Sequence, residues 1–106
     1  MAKTLTRKQE LESAAKRVGN AAAHRLAYDD AFGNREAKQY EEQSRRIVNR
    51  RAWNDQEIAH FRRIAIRRAN KELAIRVNEE RGLSYEVVLE KAILLIDEFI
   101  EKEMRR

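Results

Sequence analysis

The sequence contains no cysteine, no proline and only 3 glycines among its 106 residues. Without cysteine, the chain has no disulfides, no thiolate metal sites and no thiol nucleophile. The scarcity of residues that interrupt regular structure favours long helices over β-hairpins. A chain without cysteine also fits a reducing cytoplasm. The composition therefore predicts an all-α, cytoplasmic protein.

Long apolar segments are missing as well. The longest strongly apolar run, from Ala92 to Ile96, is far shorter than the roughly 20 residues that a membrane-spanning helix requires. The N-terminus has no apolar stretch, so we expect no signal peptide and no membrane partner. The length fits one small domain, 1–106, with a single core.

Charged residues are abundant, at 39% of the chain, and the net charge is +5. The two signs are unevenly distributed. Residues 1–76 carry 18 basic against 10 acidic side chains, whereas residues 77–106 carry 5 against 8. This asymmetry indicates a basic binding part followed by an acidic, more apolar part. A charge-rich surface that binds nothing remains the alternative.

Start and stop signals divide the N-terminal half into short helices. Thr6 and Gln9 form a capping-box pattern that predicts a helix over 7–18, with Gly19-Asn20 as its end. An Ala-rich segment predicts a second helix over 21–31. Asn34 can then cap a helix over 35–51. We expect residues 1–34 to be N-terminal helices that need not be ordered alone, outside a helical core over 35–106.

The strongest start signal precedes a long helix. Asn54 and Glu57 complete a capping box, and Trp53 and Ile58 flank it as a hydrophobic staple. The predicted helix runs over 55–81 and ends before Gly82, and Ser84 then caps a last helix over 85–104. The expected architecture is a small helical domain with a long central helix and a C-terminal antiparallel helical hairpin.

A pattern of eight residues, R-R-I-x-x-R-R-A, occurs twice, at 45–52 and at 62–69. At 100° per residue, each copy contributes to an outward helix face without acidic residues. The two faces comprise Gln39, Gln43, Arg46 and Arg50 on one helix, and His60, Arg63, Arg67 and Lys71 on the next. Arginine forks bind phosphate in a bidentate manner. The predicted ligand-binding residues are Gln43, Arg46, Arg50, Arg63, Arg67 and Lys71.

The other arginines of the repeated pattern lie within or beside the apolar arcs. Because a lone charge cannot be buried, we expect these side chains to extend to the surface, to form ion pairs or to face a partner subunit. The candidates for pairing are Arg51, Arg62 and Arg68, together with Arg76, which lies outside the pattern; the possible acids are Glu72, Glu90 and Asp97. Arg45, at the edge of the pattern, is not assigned.

The last predicted helix is broadly apolar, and two aliphatic residues lie opposite its core face. These are Val87 and Leu94, seven residues apart. The predicted helix before it is also apolar over a wide arc, so a hairpin of these two helices would leave one side open. We therefore expect a homodimer with Val87 and Leu94 in the interface.

No catalytic signature accompanies the basic faces. The two histidines are isolated, and the adjacent acidic pairs point in directions about 100° apart on a helix, so we predict no catalytic residue, metal or cofactor. The favoured function is a non-enzymatic regulatory protein that binds DNA or RNA, such as a phage or plasmid might encode. The alternatives are an inhibitor or adaptor that docks on an acidic protein surface and a purely structural assembly protein.

Overall fold

The computed structural model describes residues 5–27, 31–76 and 84–105. Within these residues the chain forms four helices and no strand, which confirms the all-α class. The helices are α1 (Arg7–Ala27), α2 (Ala31–Val48), α3 (Asp55–Arg76) and α4 (Tyr85–Glu103). None of the described helices is long and apolar enough to cross a membrane.

Helix α1 is the element that packs against each of the other three. Its buried side chains include Leu11, Val18 and a series of alanines, which allow close approach of the neighbouring helices. Helices α2 and α3 lie on different sides of α1, and α4 packs against α1 and α3. The core therefore includes the N-terminal segment as well as residues 35–105.

The predicted end of the first helix at Gly19-Asn20 is wrong, because α1 continues through both residues to Ala27. Gly19 lies where α1 crosses α3. A Cβ atom there would lie 2.5 Å from the carbonyl oxygen of Ala65 and 2.8 Å from Cβ of Arg68. Glycine inside a helix costs about 1 kcal/mol relative to alanine, and here the close contact between two backbones offsets that cost.

Both predicted capping boxes are present. The Thr6 N–H donates to Oε1 of Gln9 at 2.9 Å, and the Gln9 N–H donates to Oγ1 of Thr6 at 3.1 Å. At the start of α3, the Glu57 N–H donates to Oδ1 of Asn54 at 2.8 Å, and Oε1 of Glu57 accepts from the Asn54 N–H. Ser84 occupies the cap position of α4, but its side chain makes no capping hydrogen bond.

Helix α2 extends from Ala31 to Val48 instead of over the predicted 35–51. It ends early because the following turn is held by other contacts. The indole N–H of Trp53 donates to the carbonyl oxygen of Val48 at 2.8 Å. Arg7 of α1 donates to the carbonyl oxygen of Ala52, and its guanidinium lies 4.6 Å from the Trp53 ring centroid.

Helices α3 and α4 run in opposite directions. The Arg105 guanidinium lies 3.4 Å from Oδ1 of Asp55 near one end of the pair, and the Tyr85 hydroxyl donates to the carbonyl oxygen of Asn70 near the other. Phe61 and Phe99 stack between them, with 6.0 Å between ring centroids. The predicted end of the long helix at 81, with its stop at Gly82, lies outside the described residues.

Candidate nucleic-acid interface

The second copy of R-R-I-x-x-R-R-A lies within α3, and its arginines divide into two groups. Arg62 forms an ion pair with Asp97 of α4, with Nε 2.7 Å from Oδ1. Arg68 lies 3.6 Å from Glu72 and also donates to Oδ1 of Asn20 on α1. Ion pairing of Arg62 and Arg68, including both acidic partners, is as predicted. Arg63 and Arg67 are exposed and have no polar partner among the described residues.

The first copy divides in the same manner. Arg45, which the sequence left unassigned, lies 3.2 Å from Oε1 of Glu103, a buried carboxylate on α4. Arg51 lies 2.8 Å from Oε2 of Glu10 on α1. Of the roles left open for Arg51, the structure therefore shows ion pairing, with an acid that was not among the candidates. Arg46 and Arg50 are exposed, and neither pairs with any residue in the described part of the chain.

The structure adds two lysines of α1 to the predicted α3 residues. Lys8 lines a shallow depression together with His60 and Arg63. Lys16 lines the adjacent depression together with Arg67 and Lys71. Five exposed cations of these two helices form no ion pair within the described residues, and we call them the basic surface: Lys8, Lys16, Arg63, Arg67 and Lys71.

Helix α1 packs beside α3 and places one of its own acids, Glu12, next to the α3 face of His60, Arg63, Arg67 and Lys71. The ring Nε2 of His60 lies 2.8 Å from Oε2 of Glu12. This hydrogen bond, with smaller contributions from Lys8 and Lys16, lowers the pKa of the Glu12 carboxyl below its usual value. Because Glu12 is ionised and can only accept, Nε2 carries the proton. The carboxylate is thus occupied by His60 and leaves the nearby arginines unpaired.

The predicted residues of α2 form a separate group. Gln43 accepts a hydrogen bond at 3.1 Å from Nε of Arg17 on α1, and Arg46 and Arg50 follow it. Arg46 and Arg50 belong to α2 and the turn after it, whereas the basic surface as defined above consists of residues of α1 and α3. Val87 and Leu94 lie on α4, with relative exposures of 48% and 62%.

Sequence reasoning missed Lys8, Lys16 and Glu12 because it considered each helix by itself. The available signal was the spacing of Lys8, Glu12 and Lys16, which places all three on one side of a helix. That spacing does not indicate which neighbour the side faces. Their position beside α3 follows from the crossing at Gly19.

Residues 5–27, 31–76 and 84–105 contain no group of three or more His, Asp or Glu side chains that could hold a metal ion. Comparisons with protein-family models, curated proteins and solved structures found no match for this chain. A function must therefore be argued from the basic surface itself.

Proposed function

We propose that this chain is a non-enzymatic regulatory protein that binds DNA or RNA through the basic surface. It would act in the cytoplasm, which the cysteine-free sequence fits. One observation carries the proposal. The arginines next to α1 and α4 are occupied by acids, whereas the five cations of the basic surface have no ion-pair partner among the described residues.

Unpaired cations in a row suit a phosphate backbone. Arg63, Arg67 and Lys71 follow one another at four-residue spacing, which corresponds to about 6 Å of helix rise per step. Lys8 and Lys16 continue the charge onto the adjacent helix. Each cation that neutralises a phosphate releases condensed counterions, and this release supplies affinity without reading sequence. The surface therefore favours binding that depends on salt more than on base sequence.

The principal alternative is an inhibitor or adaptor that docks on an acidic protein. Carboxylates on an acidic protein and phosphates of a nucleic acid are bound by the same cationic hydrogen-bond donors, so both partners fit the basic surface. The extended row of cations supports the nucleic-acid proposal, because the acids beside it are occupied: Glu12 by His60 and Glu57 by Arg7. A protein partner is the outcome we would infer if purified protein failed to bind polyanionic strands at low salt.

The test is binding of random-sequence duplex and single strands at roughly 50 and 200 mM salt. For duplex DNA, five phosphate contacts predict a fall in affinity of about 500-fold between these concentrations. A triple variant, Arg63→Glu with Arg67→Glu and Lys71→Glu, should abolish binding without unfolding the chain. The matched control reverses three exposed lysines elsewhere: Lys38, Lys91 and Lys102.

Two results would overturn the proposal. The first is the absence of micromolar binding at low salt by the natural sequence. The second is equal loss of affinity in the triple variant and in its control, because both change the net charge by the same amount. Equal loss would show that total charge, not the basic surface, determines binding.

We also propose a homodimer through the exposed side of α4, with Val87 and Leu94 in the interface. Their exposure supports this contact. The open side that was expected on α3 no longer supports a dimer, because α1 and α4 pack on α3 and both Phe61 and Leu73 are fully buried within one chain. Leu94→Glu should convert a dimer to a monomer, measured as the mass in solution. A monomeric natural chain would overturn this contact and leave nucleic-acid binding unaffected.

A further inference from the structure

The exposed side of α4 carries acidic side chains as well as Val87 and Leu94. Within about 60° of Leu94 around α4 lie four acids and one lysine, namely Glu90, Asp97, Glu98, Glu101 and Lys91. Two of the acids pair with arginines of the same chain, whereas Glu90 and Glu98 are exposed and form no ion pair within the described residues. We call Glu90, Leu94 and Glu98 the acidic row.

The acidic row has the same spacing as the cations of α3. Arg63, Arg67 and Lys71 also follow one another at intervals of four residues, so the outer members of either row are about 12 Å apart along the helix. Rows of this spacing lie side by side when two helices cross at about −50°, which is the commonest packing angle. Helix α4 of one copy can therefore pack on α3 of another with opposite charges paired at both ends of the contact.

The basic surface also offers an apolar contact to Leu94. Ile64 is partly exposed and lines a shallow depression among three cations of the basic surface. The acid that also lines this depression, Glu12, is occupied by His60. Insertion of Leu94 beside Ile64 would remove two aliphatic side chains from water. It would also bring the two acids of the acidic row to the surrounding cations.

Contact of α4 with α4 of a second copy, in contrast, would join like charges. A two-fold contact centred on Leu94 with antiparallel helices places Glu90 of each copy beside Glu98 of the other, and a parallel one places each acid beside its own equivalent. Like charges brought together in an interface oppose association. The basic surface of a second copy is therefore the better match for the exposed side of α4.

We propose that the chain self-associates by docking the acidic row of one copy on the basic surface of another, so that a second copy and nucleic acid compete for one surface. The proposed homodimer would contain this contact twice, once in each direction. The competition rests on the proposed function of the basic surface, whereas the contact between copies does not. Self-association should weaken as salt rises, because the ion pairs are screened.

The experiment measures the mass in solution of two charge-reversed variants at about 50 mM salt, alone and mixed. One variant is Glu90→Lys with Glu98→Lys, and the other is the triple variant that reverses Arg63, Arg67 and Lys71. Each should be monomeric alone, because its two surfaces no longer carry opposite charge. An equimolar mixture should associate again, since each reversed row meets its opposite on the other variant.

A control variant reverses two exposed cations of α2, Arg35→Glu with Lys38→Glu, and should associate as the natural chain does. A natural chain that is monomeric at every concentration would overturn self-association and leave nucleic-acid binding standing. A triple variant that still associates alone would show that α4 does not need the basic surface. A mixture that stays monomeric, while both variants keep their helical circular dichroism, would show that the rows do not pair.

The competition is measured by adding random-sequence duplex to the associated natural chain. Duplex should release single copies, each bound to nucleic acid through its basic surface. Duplex binding by copies that stay associated would overturn the shared surface. Self-association with the expected charge dependence but without duplex binding would overturn the proposed function and leave the contact between copies standing.

Discussion

The two copies of R-R-I-x-x-R-R-A make corresponding contacts from two different helices. The first arginine of each copy pairs with an acid of α4: Arg45 with Glu103, and Arg62 with Asp97. The last arginine of each copy reaches α1, where Arg51 meets Glu10 and Arg68 meets Asn20. The remaining two arginines of each copy face solvent.

The copies differ in where each one ends. The first extends past the C-terminus of α2, so its final alanine, Ala52, is exposed in the connection. The second lies wholly inside α3, and its final alanine, Ala69, is completely buried at the crossing with Gly19. The arginines of the two copies thus make corresponding contacts, whereas the burial of the final alanine depends on where each copy lies in the fold.

The largest effect is expected from enlarging the final alanines. Ala69→Leu should destabilise the fold by about 3 kcal/mol or more, because added methylenes have no space against α1. Ala52→Leu should change the free energy of unfolding by no more than about 0.5 kcal/mol, as exposed substitutions do. Urea denaturation of both variants measures the difference. Equal effects would show that the crossing is looser than described.

A smaller difference is expected between the first arginines. Glu103 is buried, with 5% of its side chain exposed, whereas the side chains of Arg62 and Asp97 are 46% and 40% exposed. Arg45→Ala should cost about 1–3 kcal/mol, because it removes a charged partner from a desolvated carboxylate. Arg62→Ala should cost at most about 1 kcal/mol. Chemical denaturation of the two variants tests this order, and a costlier Arg62→Ala would reverse it.

The first turn of α3, which follows the first copy in sequence, contains a carboxyl group that makes the stability of the fold depend on pH. The hydrogen bond from Arg7, assisted by the Asn54 N–H, lowers the pKa of the Glu57 carboxyl from 4.5 to about 2. A carboxyl with a lowered folded-state pKa stabilises the fold above pH 4.5, and this contribution is lost as the pH falls towards 2.

We expect that loss to be roughly 1 kcal/mol or less, since the pair is partly exposed. The measurement compares the free energy of unfolding of the natural chain and Glu57→Gln across this pH range. Glutamine can keep the capping box with Asn54 but does not titrate. The difference between the two proteins should shrink as the solution is acidified. A constant difference would contradict the lowered pKa.

Structural features that depend only on residues within one helical turn of each other could be predicted from the sequence. The capping boxes at Thr6 and Asn54 depend on side chains three residues away, and both are present. The division between outward and ion-paired arginines follows from helical periodicity, and the pairs at Arg62 and Arg68 agree with it. The acidic partners of Arg45 and Arg51, however, depend on which helices become neighbours.

Gly19 shows why the rest could not be predicted. Local chemistry treats glycine followed by asparagine as the end of a helix, yet here the absent side chain allows α1 and α3 to touch. This single crossing also brings Lys8 and Lys16 beside the α3 cations. Once the first helix was predicted to end too early, neither its central position nor its part in the basic surface could be inferred.

The smallest effect is expected at the second arginine of each copy. Arg46→Ala and Arg63→Ala should each change stability by less than about 0.5 kcal/mol, because neither side chain has a described partner to lose. Their effects on duplex binding should differ, since Arg63 belongs to the five-cation basic surface and Arg46 does not. Thermal unfolding and duplex titration of both variants measure these two properties. A large loss of stability at Arg63 would mean that this arginine holds the fold together, and the argument that it is free for a ligand would fail.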